Sequence, residues 1–321
     1  MRNNRFQNHV SESTVTLPLC MATGALAWFW NGSTQAFDCN LSAIVAFALA
    51  ALSTYIVIET ANVFALLRIR SSMIATVWVV CISMMPSLHS FSEAWVAVPA
   101  LAGSYYIMFL TYQQHEPVIH VFHTFLLLGI ASLAIPQLLV FAPLYYWYLL
   151  VFLRSLTWRG LWAGLVGLTL PMCFVVGWSI VSDDYSFLWS RIECLIHTDL
   201  FVAAHYGRML SYREPQALGF ALMSLLALTG IVHYLRNYYN DKIRTRMFLY
   251  IYVMQTVASW LLVVAMPDRY SLLAPVLMLG ASTMIAHFFA LTGSILSNLF
   301  FCLTLILTLM LFTLNLGIWT F

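Results

Sequence analysis

The sequence predicts an all-α protein, a polytopic membrane bundle of about eleven spans (ten to twelve) with its N-terminus in the cytoplasm. Hydrophobic residues make up 62% of the 321 positions, and charged residues only 8%. Long apolar runs recur from about Thr14 to the C-terminus. A single alternating threading places ten of the fourteen Lys and Arg residues on one side. A water-soluble domain of this size has no means of hiding so much apolar surface, because its own surface needs charge. The solvent these observations imply is a bilayer.

A helix needs roughly 20 apolar residues to cross a hydrocarbon core of about 30 Å. By that measure the spans fall near 14–30, 41–67, 71–86, 93–112, 118–135, 138–153, 160–181, 216–235, 247–266, 271–290 and 294–318. The first follows MRNNRFQNHVSEST without a small-residue cleavage site, and is read as a retained span. The runs at 71–86, 118–135 and 138–153 are short. Pro136 and Pro143 interrupt the middle of the chain, so 118–153 reads either as two spans or as a broken helix pair. Between 182 and 215 lies the longest polar stretch. Phe187, Leu188, Ile192, Leu195, Ile196, Leu200 and Phe201 recur within it at helical spacing, as in an amphipathic helix lying in the interface. These elements and their short connections fill 1–321, which is read as one membrane domain.

Basic residues in short loops orient the threading. Arg2, Arg5, Arg68, Arg70, Arg154, Arg159, Arg236, Lys242, Arg244 and Arg246 fall in the cytoplasm, and Arg191, Arg208, Arg213 and Arg269 outside. Acidic residues gather outside, among them Asp38, Glu93, Asp183, Asp184, Glu193, Asp199, Glu214 and Asp268. Trp28, Trp30, Tyr145, Tyr148, Trp158 and Trp162 sit at expected interfaces as aromatic belts.

The outer face is where polar chemistry concentrates. Glu93 begins a span beside His89, Asp268 and Arg269 form PDRY between two spans, and 182–215 offers His197, His205, Arg208 and Arg213. If these converge, arginines would neutralise a diphosphate and a carboxylate or histidine would deprotonate an acceptor hydroxyl. The bland alternatives are an interfacial helix and an ion pair capping a turn. Glu59 is the one acidic residue well inside a span, which makes it a proton- or ion-site candidate by default. His120 and His123 share a helix face but no third ligand is evident, and His233 and His287 read as interfacial. Cys39 and Cys194 both fall outside, so a disulfide between them is geometrically open. No glycine-rich phosphate loop, HExxH or GxSxG motif is present, and neither a metal nor a cofactor is expected. The basic loop RNYYNDKIRTR (236–246) lies between two spans, so its expected partner is anionic lipid, not nucleic acid.

Two stretches carry a family likeness, RSLTWRGLWAGLVGLTLP (154–171) and RYSLLAPVLMLGASTMIAHFFAL (269–291). With them the order of elements resembles an uncharacterised family of polytopic bacterial inner-membrane proteins. The tail, with an outer loop holding Arg and His, is similar in outline to integral-membrane glycosyltransferases and O-antigen polymerase or ligase enzymes. That resemblance implies a polyprenyl-diphosphate-linked glycan as substrate. The chain departs from the glycosyltransferases in its first outer loop, which is short and holds Asp38 alone.

The expected function is a non-catalytic component of cell-envelope assembly or secretion in the bacterial inner membrane, with lipids and other membrane subunits as partners. One alternative is a glycan transferase or polymerase using Arg208, Arg213, Arg269, His197, His205, Glu93 and Asp268. A second is a transporter using Glu59.

Overall fold

The computed structural model describes residues 5–31, 36–37, 39–196, 201, 206 and 216–315. The fold is all-α apart from a two-residue antiparallel ladder that pairs Trp30 with Phe37. A short helix α1 (Phe6–Glu12) precedes α2 (Thr16–Phe29), α3 (Leu41–Val63), α4 (Met73–Ser83), α5 (Ala94–Leu110) and α6 (Val118–Ala134). A second mid-chain helix follows, opening with a 3-10 turn at Pro136–Val140, continuing as α7 (Phe141–Trp147) and closing with a π-helical turn at Tyr148–Phe152. Then come α8 (Trp158–Ser182), α9 (Ser186–Ile196), α10 (Gln216–Asn237), α11 (Ile243–Ala265), α12 (Tyr270–Leu291) and α13 (Ile295–Asn315).

Among the described residues, six helices are long and apolar enough to cross a membrane, as in a membrane protein, and five shorter apolar helices accompany them. Of the three runs read as short, 71–86 holds α4, with 11 residues and about 16 Å of helix. The 118–153 region forms two separate helices. Ile135 is extended because the ring of Pro136 disfavours helical backbone in the residue before it. The run expected at 41–67 leaves the helix at Phe64, and Ala65 turns the chain with φ 46°.

The core is organised around α12. Of its most apolar window 89% is buried, against 22% for α8, although their mean hydropathies are 1.8 and 1.9. Helices α10, α11, α4 and α5 surround it. Small residues permit the close approach: a Cβ on Gly280 would lie 2.5 Å from Thr256 Oγ1, and one on Gly230 2.5 Å from the Met284 carbonyl. At the periphery, α6 lies between α5 and α8. The α6–α8 seam is also built on glycine, since a Cβ on Gly167 would clash with the Phe122 carbonyl and one on Gly164 would lie 2.9 Å from the Phe125 ring. The opposite face of α8 exposes Trp158, Trp162, Leu165 and Ile180, and beyond Pro171 the helix also exposes Phe174, Trp178 and Val181.

Side-chain and backbone contacts gather the connections at two ends. At one end, the Phe91 amide donates to Ser42, Arg191 reaches Glu93 and the Ala134 carbonyl, and Cys194 links Gln137 to Arg269. At the other, Ser71 bonds the Ser11 carbonyl and the Gln113 amide donates to Leu153. There too Arg159 pairs with Glu116, and the Arg244 guanidinium sits over Phe64, Tyr112 and Phe248. Arg269 and His287, 18 residues apart on α12, mark the two ends about 27 Å apart.

Candidate functional site

Helix α9 brings together three of the seven outer-face candidates, Glu93, Asp268 and Arg269. Its start is set by Asp184, whose Oδ1 accepts the Ser186 amide at 2.9 Å and holds the carboxyl below its ordinary pKa. One turn along, the Arg191 guanidinium forms a two-pronged pair with Glu93, Nη2 to Oε1 at 2.5 Å and Nη1 to Oε2 at 3.0 Å. The same Nη1 donates to the Ala134 carbonyl at 2.9 Å, left open by the break before Pro136. Phe187, one turn back, offers its ring to the guanidinium at 4.7 Å. Glu93 raises the Arg191 pKa above its ordinary value, chiefly by hydrogen bonding.

Three residues further on the same helix, Cys194 accepts from Arg269 Nη1 at 2.7 Å and from Gln137 Nε2 at 3.3 Å. Arg269 Nε also lies 3.8 Å from its neighbour Asp268. Helix α9 is therefore tied to three places in the bundle: the start of α5, the 3-10 turn after α6, and the start of α12. Among the expected site residues, Glu93, Asp268 and Arg269 share this end. His197, His205, Arg208 and Arg213 lie outside the described residues, as does Asp38. Within the same stretch, the Phe201 amide donates to the Ala265 carbonyl at 3.0 Å and Tyr206 bonds the Val264 carbonyl. The disulfide left open between Cys39 and Cys194 is not formed: both are free cysteines, and Cys194 turns toward Arg269.

His89, next to Glu93 in sequence, belongs to a different environment. Its ring stacks on Trp28 with centroids 4.7 Å apart, and burial lowers its pKa to about 4, against a smaller opposing contribution from the Ser83 backbone. It is neutral at pH 7 and serves as packing.

Glu59 is partly buried, about one turn from the end of α3, with no ion pair or hydrogen bond among the described residues. No group of three or more His, Cys, Asp or Glu side chains placed to hold a metal occurs among the described residues, around His120 and His123 or elsewhere.

A second polar cluster lies at the other end, in residues the sequence reading treated as interfacial or as part of a basic loop. Asp241, at the turn between α10 and α11, is buried with its carboxylate fully enclosed. Arg68 Nε donates to Oδ1 at 2.5 Å, and His287 Nε2 lies 3.4 Å from Oδ2. Burial on its own pushes the Asp241 carboxyl up, but the His287 ring and the Arg68 guanidinium outweigh it and hold the carboxyl below its ordinary value. His287 is wholly buried, because α10, α1 and the 238–242 turn cover the end of α12. The signals that pointed here were a lone carboxylate inside a basic loop and the only Asp, Glu, His, Lys or Arg within α12 after its first turn.

No family model matches the chain, and no curated protein is significantly similar to it.

Proposed function

We propose that this chain is a multispan protein of the bacterial inner membrane, acting as a non-catalytic component of a cell-envelope assembly or secretion machine. In this reading all eleven apolar helices span. The end carrying Arg68, Arg154, Arg159, Arg236, Lys242, Arg244 and Arg246 faces the cytoplasm, as expected from the retention of basic loops on that side. The α9 end faces outward.

The observation that carries the reading is the Glu93–Arg191 pair. A general base must be free to reach a substrate proton, and an anion clamp must be free to meet a phosphate. Glu93 has both carboxylate oxygens on Arg191, and the second outer guanidinium, Arg269, is directed to Cys194 and Asp268. The charges fasten α9 to the bundle. Glu59 sits near the cytoplasmic end of α3, away from the midplane where a transport site belongs. The exposed apolar side chains of α8 supply a lateral surface for a partner helix.

The test is site-specific photocrosslinking in cells, with the photoreactive residue at Val166, Phe174 or Trp178 on α8. A discrete adduct with another membrane protein is the expected result. The reading is overturned if no α8 position yields a protein adduct while Glu93→Gln or Arg269→Ala abolishes a lipid-linked glycan polymer at normal protein levels.

A further inference from the structure

The bundle satisfies the polar groups on one side of α3 and leaves those on the other side open. Toward the bundle, Ser53, Thr54 and Thr60 are buried, and each hydroxyl donates to the carbonyl four residues back. Thr54 also accepts the Trp78 indole at 3.1 Å. The side turned away carries Leu52, Tyr55, Glu59, Asn62 and Val63, which recur at helical spacing along one face. Tyr55 is 64% exposed, Asn62 is exposed and Glu59 is partly buried. None of these three polar side chains has a hydrogen bond or ion pair among the described residues.

Their depth makes that arrangement costly. The 23 residues of α3 give about 35 Å of helix, close to the hydrocarbon thickness of about 30 Å. Glu59 stands four residues from the cytoplasmic end and Tyr55 eight, about 6 and 12 Å along the axis. Side chains on a helix lean toward its N-terminus, which for α3 points away from the cytoplasmic water. Acyl chains offer the Tyr55 hydroxyl neither donor nor acceptor, and a carboxylate in a span needs a partner. Helices α2, α4 and α5 pack on α3, and none carries a Lys or Arg. Arg68, in the connection beyond α3, is taken by Asp241.

We propose that the Tyr55–Glu59–Asn62 face of α3 docks a transmembrane helix of a different protein, one carrying Lys or Arg at the depth of Glu59. The inference rests on the scaffold reading and deepens it, since it names a second contact face and the residue the partner brings. A cationic side chain supplies the charge opposite to Glu59 and N–H donors for the Tyr55 oxygen and the Asn62 carbonyl. A second copy meeting this face about a two-fold axis would set Glu59 against Glu59, where like charges repel.

The test is photocrosslinking in cells with the photoreactive residue at Tyr55, where one exposed aromatic ring replaces another. The expected adduct joins a transmembrane helix of another protein, with Lys or Arg within two turns of the attachment point. Glu59→Gln should lower its yield roughly fivefold, the factor that one polar contact between membrane helices supplies. Glu59→Lys should abolish the adduct, and exchanging the partner's cation for Glu should restore it. The site is overturned by no adduct at Tyr55, or by adducts only with lipid or a second copy. A partner helix without Lys or Arg, or a yield unchanged in Glu59→Gln, overturns it equally. Should Glu59→Gln fail to accumulate, the sequence of the peptide crosslinked to the wild type still decides. The α8 positions are read in parallel: adducts there with none at Tyr55 sink this face and leave the scaffold reading standing.

Discussion

At the α9 end, Glu93 keeps 45% of its side chain exposed and meets Arg191 in two hydrogen bonds at the protein surface. At the opposite end, Asp241 has no exposed side-chain surface and divides its two oxygens between Arg68 and His287. Both are carboxylates answered by a guanidinium, yet their environments make them different devices. A half-exposed pair is screened by solvent and mainly fixes geometry. A buried one has given up its hydration, so its partners must remain in place and any change of proton count is felt by the packing around it. Ionic contacts of similar appearance in one chain thus serve as a clasp in one place and as a charge-sensitive joint in another.

The comparison yields an ordered set of outcomes. Asp241→Ala leaves Arg68 without its carboxylate and opens a polar void against His287, and should cost about 3 kcal/mol or more in the unfolding of detergent-solubilised protein. Arg191→Ala should cost less, about 1–2 kcal/mol, while making α9 markedly more accessible to protease. A larger loss for Arg191→Ala than for Asp241→Ala would reverse the contrast. His89 sharpens it from another direction. A folded-state pKa of about 4 lies below the unfolded value, so its contribution is fully present above about pH 6.5 and is lost as pH falls toward 4. Acidification from pH 7.5 to 4.5 should therefore destabilise the wild type by on the order of 2 kcal/mol, and His89→Phe, which keeps a ring on Trp28, should remove that dependence. The smallest effect is expected for Arg191→Lys, about 1 kcal/mol, since an ammonium replaces the two-pronged contact with one. Unfolding midpoints measured over the pH range for all four variants place them on one scale.

The cluster at the α9 end was partly legible in the chain because side assignment and polarity both point to it. Glu93, Asp268 and Arg269 are read outside by threading, and they share the α9 end. Arg191 was visible as a charge on the interfacial helix, but nothing in its spacing joined it to Glu93, 98 residues away. The cluster around Asp241 was not found, since Asp241 sits among Lys242, Arg244 and Arg246 and His287 ends a long apolar run. Helix order was equally hidden. In water, apolar residues sort inside from outside, but in lipid both sides are apolar. Hence α13, with mean hydropathy 2.4, is 22% buried while α12, at 1.8, is 89% buried. The break at Ile135 was the exception, because proline acts through local backbone sterics whatever the solvent.

The glycine seam between α6 and α8 has its own consequence for how this chain tolerates change. Hydrogen atoms stand where side chains would otherwise be, so Gly164 and Gly167 admit no enlargement without parting two helices. A few residues away on the same helix, Phe174 and Trp178 touch only whatever surrounds the protein, and they are free to drift with it. The seam portion of α8 is thus fixed by the fold, while the portion beyond Pro171 can follow the membrane or a neighbouring subunit through evolutionary time.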